Sequence, residues 1–310
     1  MFLLTTHRLT YRYGRQTAVS EVALAVPEGA IYGFIGPNGA GKSTTIKLLL
    51  GLLRPAGGRV TIFGRSLHEA RRPVLRRIGS LIETPSLYEN LTAREHLRWL
   101  DRLFRCGPTR IDAVLELVDL TGAADKKVKR FSMGMKQRLG IALALFHDPD
   151  LLVLDEPVNG LDPAGIQDMR RLFQRLRAAG KTLLISSHIL AEVEKTATHL
   201  GIIQHGRLRF QGGVEDLRAS FRPHTRLRTS DDRRALAHLR ARGWTCRWEA
   251  DTGVEVAVDE GPAFHRLLRT LLEVGLELHA VEARRSTLED LFLEMTRSQA
   301  QEPSLPPVAS

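Results

Sequence analysis

The chain has 310 residues, 43% of them hydrophobic and 26% charged, which suits one large domain with a packed core plus a small one and excludes a disordered or collagen-like protein. The net charge of +10 is uneven: residues 222–310 hold 13 Arg and Lys against 14 Asp and Glu, so the whole surplus lies in residues 1–221, a region suited to polyanions such as nucleotide phosphates. No apolar run approaches the ~18 residues of a membrane-spanning helix, and the first residues lack a signal-peptide pattern. The two cysteines, Cys106 and Cys246, lack metal-site spacing and are expected to be free thiols in a soluble, cytoplasmic protein.

Taken in chain order, the first 220 residues alternate strands and helices. Residues 30–35 form an apolar run that ends in a glycine-rich turn; a helix is expected over 43–53, stopped by the breakers at 54–58. Helical spacing recurs over 92–104, with a capping box at Thr92 and Glu95, and over 111–120. Residues 151–154 and 182–185 are continuous apolar runs that end in polar residues, as strands buried on both faces do, and 163–179 reads as the helix crossing between them. From about residue 221 the order becomes strand (225–229), helix (231–242), two strands (245–248, 254–258), helix (262–274), strand (277–282) and a last helix (287–296). That is the βαββαβ order of a ferredoxin-like α+β domain. Residues 298–310 are polar and proline-rich and read as a disordered tail.

Chemistry concentrates at two places. Gly36-Pro37-Asn38-Gly39-Ala40-Gly41-Lys42-Ser43 fits the phosphate-loop pattern between a strand and a helix. Its backbone N–H groups are suited to cradle phosphate at a helix N-terminus, Lys42 to reach the β- and γ-phosphates, Ser43 to ligate Mg²⁺ and Thr44 to contact an inner phosphate. The strand 151–154 ends in Asp155 and Glu156, which suit a metal-holding carboxylate and a residue that polarises the attacking water. The basic clusters Arg71, Arg72, Arg76, Arg77 and Lys126, Lys127, Lys129, Arg130 suit polyanions but read equally well as a solvated face.

With these residues in place the chain resembles the ATP-binding subunits of ABC transporters. Phe131-Ser132-Met133-Gly134-Met135 stands where that family carries its LSGGQ signature, with Ser132 and Gly134 matching. Asn159-Gly160-Leu161-Asp162-Pro163 resembles its D-loop, Ser186-Ser187-His188 its switch-histidine segment, and Tyr13 stands where an aromatic stacks on adenine, with Tyr11 as the weaker alternative. The resemblance covers residues 1–220 and is nearest to bacterial multidrug, bacitracin and lantibiotic exporters. It implies that Ser132, Gly134 and Asp162 bind nucleotide, the first two on a helix that serves the opposite subunit's ATP, that His188 meets the γ-phosphate, and that Glu83 replaces the usual Gln as a ligand of Mg²⁺, ahead of a segment that contacts the membrane partner over 86–96.

The expected architecture is therefore a P-loop NTPase ABC cassette over 1–220, made of a RecA-like core, a helical subdomain and an N-terminal antiparallel β subdomain. A ferredoxin-like α+β domain over 221–297 and the tail 298–310 follow. The resemblance implies an ATPase using ATP and Mg²⁺, peripheral to the cytoplasmic face of the membrane, working with integral-membrane permease subunits and a second ATP-binding subunit in a homodimer, with no nucleic acid. The competing reading is a soluble ABC ATPase acting on ribosomes or nucleic acid; a P-loop kinase or GTPase leaves the Ser132–Met135 and His188 segments without a role.

Overall fold

The computed structural model describes residues 1–220, 224–249, 253–258 and 261–284. Two compact units divide the chain, the first spanning Met1–Val214 and the second beginning at Glu215. The division falls at the start of helix Val214–Ser220, ahead of the 220/221 boundary read from the sequence. The final helix expected over 287–296 and the tail over 298–310 lie outside the described residues.

In the first unit the apolar runs become strands buried at every residue: Ile31–Ile35, Leu151–Leu154 and Thr182–Ser187. Covered on both faces, they pair in parallel. The sheet runs in the order Arg207–Gly213, His199–Gln204, Ile31–Ile35, Thr182–Ser187, Leu151–Leu154, Ile78–Leu81, antiparallel in its first pair and parallel thereafter. Three adjacent strands thus end side by side and deliver Gly36, His188 and the Asp155–Glu156 pair to one edge, where ligands of open α/β sheets bind. A second, antiparallel sheet is built on Phe2–Tyr13, which pairs with Gln16–Val22, Ala25–Pro27 and Gly57–Ile62. Tyr32, Phe34 and Ile46 share one apolar core with Leu4, Leu9 and Ile62 of that sheet. Another core joins Leu152 and Leu183 to Leu97, Val114, Leu139 and Phe146 of the helices Ala93–Phe104, Pro108–Leu117 and Met133–Leu145 with their flanking turns.

Helix ends differ from the sequence reading for local reasons. The helix expected over 43–53 is Lys42–Leu49, because Gly51 turns into the left-handed region at φ 64°. The helix expected over 111–120 is Pro108–Leu117: Pro108 suits a first turn, and Asp119 at φ 55° closes the other end. The capping box is present, with Thr92 Oγ1 accepting from the Glu95 N–H at 3.1 Å and Glu95 accepting from the Thr92 N–H at 2.7 Å. Those bonds hold the Glu95 carboxyl below its usual range.

The second unit has four antiparallel strands in the order Cys246–Glu249, Gly253–Val256, His224–Thr229, Leu278–Arg284, with helices Asp232–Ala241 and Pro262–Leu272. This is the ferredoxin-like arrangement. Leu227, Val254 and Val256 share its core with Leu239, Leu267 and Leu271 of the helices. Strand alternation turns Glu255 to the other face, where it is buried between Arg226 and Arg247 at 2.5 and 2.8 Å. Burial opposes its ionisation, but the two guanidinium groups outweigh that and hold the carboxyl below its usual range. Both cysteines are free, Cys106 exposed and Cys246 half-buried.

Candidate functional site

The loop after strand Ile31–Ile35 is fixed from both sides. The Gly36 N–H donates to Ser187 O at 3.4 Å, and the Gly206 N–H, from the turn between strands His199–Gln204 and Arg207–Gly213, donates to Ala40 O at 3.0 Å. Gly41 caps the helix at φ 105°, a conformation that strains any residue with a Cβ, and a Cβ there would lie 2.6 Å from Ala18 O. No side chain caps this helix, so its first N–H groups and its dipole face the loop. Lys42 is buried, and its ammonium donates to Gly36 O and Pro37 O at 2.8 and 3.3 Å, inside the ring that the loop forms. A site that concentrates cationic and N–H donors this way suits polyphosphate.

Asp155, buried at the strand end, accepts from the Ser186 hydroxyl on the neighbouring strand; the same oxygen of Ser186 accepts from the Glu156 N–H at 2.9 Å. Glu156 adopts φ 50°, a left-handed conformation uncommon for a residue other than glycine and concentrated at functional sites. That turn directs its carboxylate to Lys42 Nζ at 3.3 Å and to His188 Nδ1 at 2.8 Å.

A cleft of about 780 Å³ is lined by Tyr13, Asn38, Gly39, Gly41, Lys42, Ser43, Thr44, Glu156 and His188. Most of the nucleotide-contact candidates therefore converge, while Gly36 and Ala40 lie behind the loop they shape. Tyr13 is half exposed at the cleft edge, edge-on to Tyr11, which packs against the core between the sheets. Gln16, Thr17, Ala18, Asn159, His205 and Gly206 complete the lining. Of these six the sequence reading singled out only Asn159, in the D-loop-like segment, and put the other five in no motif. The turn signal at His205-Gly206 was legible, but not its position beside the phosphate loop.

A second cleft of about 360 Å³ is lined by Ser43, Glu83, Met133, Gln137, Asp155, Glu156, Asn159 and Gly160 among others. It gathers the three candidate metal ligands, Ser43, Glu83 and Asp155. Its oxygen donors suit a hard cation such as Mg²⁺, which is ordinarily held by one or two carboxylates together with substrate phosphates. Among the described residues no group of three or more His, Cys, Asp or Glu side chains is close enough to hold a metal by itself. Glu83, at φ 61°, is engaged by Lys47 at 2.9 Å.

Ser132, Gly134 and Asp162 line neither cleft. Ser132 caps helix Met133–Leu145, accepting from the Met135 N–H at 3.3 Å, and Asp162 caps helix Pro163–Ala178, accepting from the Gly165 N–H at 2.9 Å. Among the basic clusters, Arg77 lies over the Phe63 ring and pairs with Asp150, and Arg71 donates to Gly51 O, so part of the surplus charge serves the fold.

A shallower groove of about 290 Å³ runs beside the helices, lined by Pro85, Leu87, Leu100, Phe104, Leu143 and His147 among others. Trp99, 60% exposed, and Tyr88, 64% exposed, stand 6.0 Å apart. The Tyr88 N–H donates to His96 Nε2 at 2.9 Å, while His96 Nδ1 contacts Thr92 O at 2.8 Å.

The sequence model of the family described as ABC transporter matches residues 19–159. The bacitracin transport ATP-binding protein BcrA of Bacillus licheniformis is 40% identical over 296 residues, covering 94% of this chain and 97% of that protein. The lantibiotic transport ATP-binding protein SrtF of Streptococcus pyogenes is 44% identical over 206 residues, 66% of this chain and 89% of its own. A solved structure of an ATP-binding subunit of an ABC transporter superposes with a TM-score of 0.63 at 34% identity, covering 70% of this chain and 92% of that one.

Proposed function

The chain belongs to the ATP-binding proteins of ABC transporters, and from that premise we propose how its residues divide the work and what it serves. It is an ATPase subunit that powers a membrane transporter. The phosphates lie on the loop 36–43 with Lys42 among them, and Tyr13 stacks on the base. Ser43, Asp155 and Glu83 would hold Mg²⁺, which would supply positive charge to offset that of the phosphates. Glu156 accepts a hydrogen bond from the attacking water and thereby orients and polarises it, and His188 orients Glu156 and donates toward the γ-phosphate. The observation that carries this reading is the Glu156 carboxylate held between Lys42 and His188 at the mouth of the phosphate-loop cleft. The cassette and the ferredoxin-like domain are separate domains, a reading supported by the division of the chain between Val214 and Glu215.

Ser132, Gly134 and Asp162 act across a homodimer, because these three side-chain positions, two of them at the anion-favouring start of helix Met133–Leu145, line neither cleft of their own chain. In Glu156→Gln at saturating ATP, sedimentation velocity should show a dimer, and Ser132→Arg should return it to monomer. A Glu156→Gln protein that binds ATP yet stays monomeric would exclude the homodimer.

The apolar groove with Tyr88 and Trp99 is the docking face for a permease subunit, which places the chain peripherally at the cytoplasmic face of the membrane. The transported class is a peptide antibiotic or similar amphiphile, a reading supported by the names of the bacitracin and lantibiotic relatives. Trp99→Glu puts a charge on that face and should reduce co-purification of the permease from solubilised membranes by about tenfold or more. Undiminished recovery would move the docking site elsewhere.

A further inference from the structure

Three carboxylates line the second cleft, and each is engaged differently. Asp155 accepts from Ser186, and Glu156 pairs with Lys42 and His188, both of which line the adjoining nucleotide cleft. The partner of Glu83 is Lys47, which lines neither cleft. Lys47 stands four residues after Ser43 on helix Lys42–Leu49, hence one turn further along the same face. The ion pair therefore ties the loop bearing Glu83 to the very helix that starts at the phosphate loop. Glu83 itself adopts φ 61°, so the loop holds this residue in an unfavourable backbone conformation while its carboxylate meets Lys47.

We propose that Lys47 is a positioning residue that draws the Glu83 carboxylate onto the phosphate-loop helix and offsets its charge, so that the site tolerates a third carboxylate beside a triphosphate. The pair is solvent-accessible, with 34% and 66% of the two side chains exposed, so it adds little to folding stability. Its consequence is local: without Lys47, one more uncompensated negative charge faces the phosphates. Metal-free ATP carries more negative charge than metal-bound ATP and is repelled more strongly.

This inference rests on the nucleotide reading above, and its test is equilibrium binding rather than turnover. Isothermal titration of the full chain with ATP is run at low ionic strength, once with EDTA and once with Mg²⁺. Lys47→Met keeps the length of the side chain and removes its charge. It should weaken binding of ATP in EDTA by about fivefold and binding of ATP with Mg²⁺ by less than about twofold. Lys47→Arg should restore the parent values, and adding Glu83→Gln to Lys47→Met should recover most of the EDTA affinity. Equal weakening under both conditions, or no recovery in the double variant, would overturn the proposal, since a structural role alone shifts both affinities together. A parent chain that binds neither form of ATP would overturn the nucleotide reading itself, whereas a binding parent with additive variants overturns only the role of Lys47.

Discussion

Glu156→Gln is expected to lower ATP turnover by ~10²-fold or more while ATP still binds. The substitution preserves volume and leaves an amide oxygen for the His188 contact, but removes the charge that polarises water. It also removes the ion pair to Lys42, freeing that ammonium for phosphate rather than weakening its role. Binding and hydrolysis therefore separate: Glu156→Gln holds ATP without consuming it, and Lys42→Ala weakens binding itself. Phosphate release together with ATP titration on both variants checks this. Hydrolysis by Glu156→Gln at the parent rate would remove Glu156 from the chemistry.

The second large effect is expected at Gly36. A Cβ there would lie 2.3 Å from the carbonyl oxygen of Ile203 and 2.9 Å from the Ile203 side chain. The obstructing atom is backbone of the neighbouring strand His199–Gln204, which pairs with Ile31–Ile35 and has little freedom to move. Overpacking of this kind costs about 1–3 kcal/mol, and Gly36→Ala should lower Tm by about 5 °C. Because Gly36 O accepts from Lys42 Nζ at 2.8 Å, displacing it also disturbs the phosphate loop, and ATP affinity should fall by about tenfold or more. Gly180→Ala is the control: its φ is 82°, its Cβ would meet nothing within 4 Å and it lines neither cleft, so it carries only the backbone cost of about 1 kcal/mol. A Gly36→Ala protein that keeps the parent Tm and ATP affinity would show that the neighbouring strand gives way and that space does not explain the glycine at 36.

The readable parts of the site were those whose chemistry is contiguous in sequence. Gly36–Ser43 needs only a strand, a turn and a helix in succession, and Asp155–Glu156 needs only the end of an apolar strand. Both stand where the sequence put them, because backbone periodicity and turn chemistry act within a few residues. The ferredoxin-like order of the small unit was legible for the same reason, with boundaries shifting by a few residues where capping decided them.

Other features depended on which strands became neighbours. Hydrophobic runs alone do not state that Ile31–Ile35 lies between His199–Gln204 and Thr182–Ser187. That order brings His188 to Glu156, Ser186 to Asp155 and the turn at His205-Gly206 to the phosphate loop. The pairing of Lys47 with Glu83 is of the same kind. The sequence supplied the third carboxylate, with its implied repulsion of phosphate, but not the cation 36 residues earlier that meets it. By itself the sequence determined the family of chemistry, since the groups that define it are fixed by local spacing. The tertiary structure decided which charge offsets which, because Coulomb energy depends on distance in space and chain separation carries no information about it once the sheet has closed.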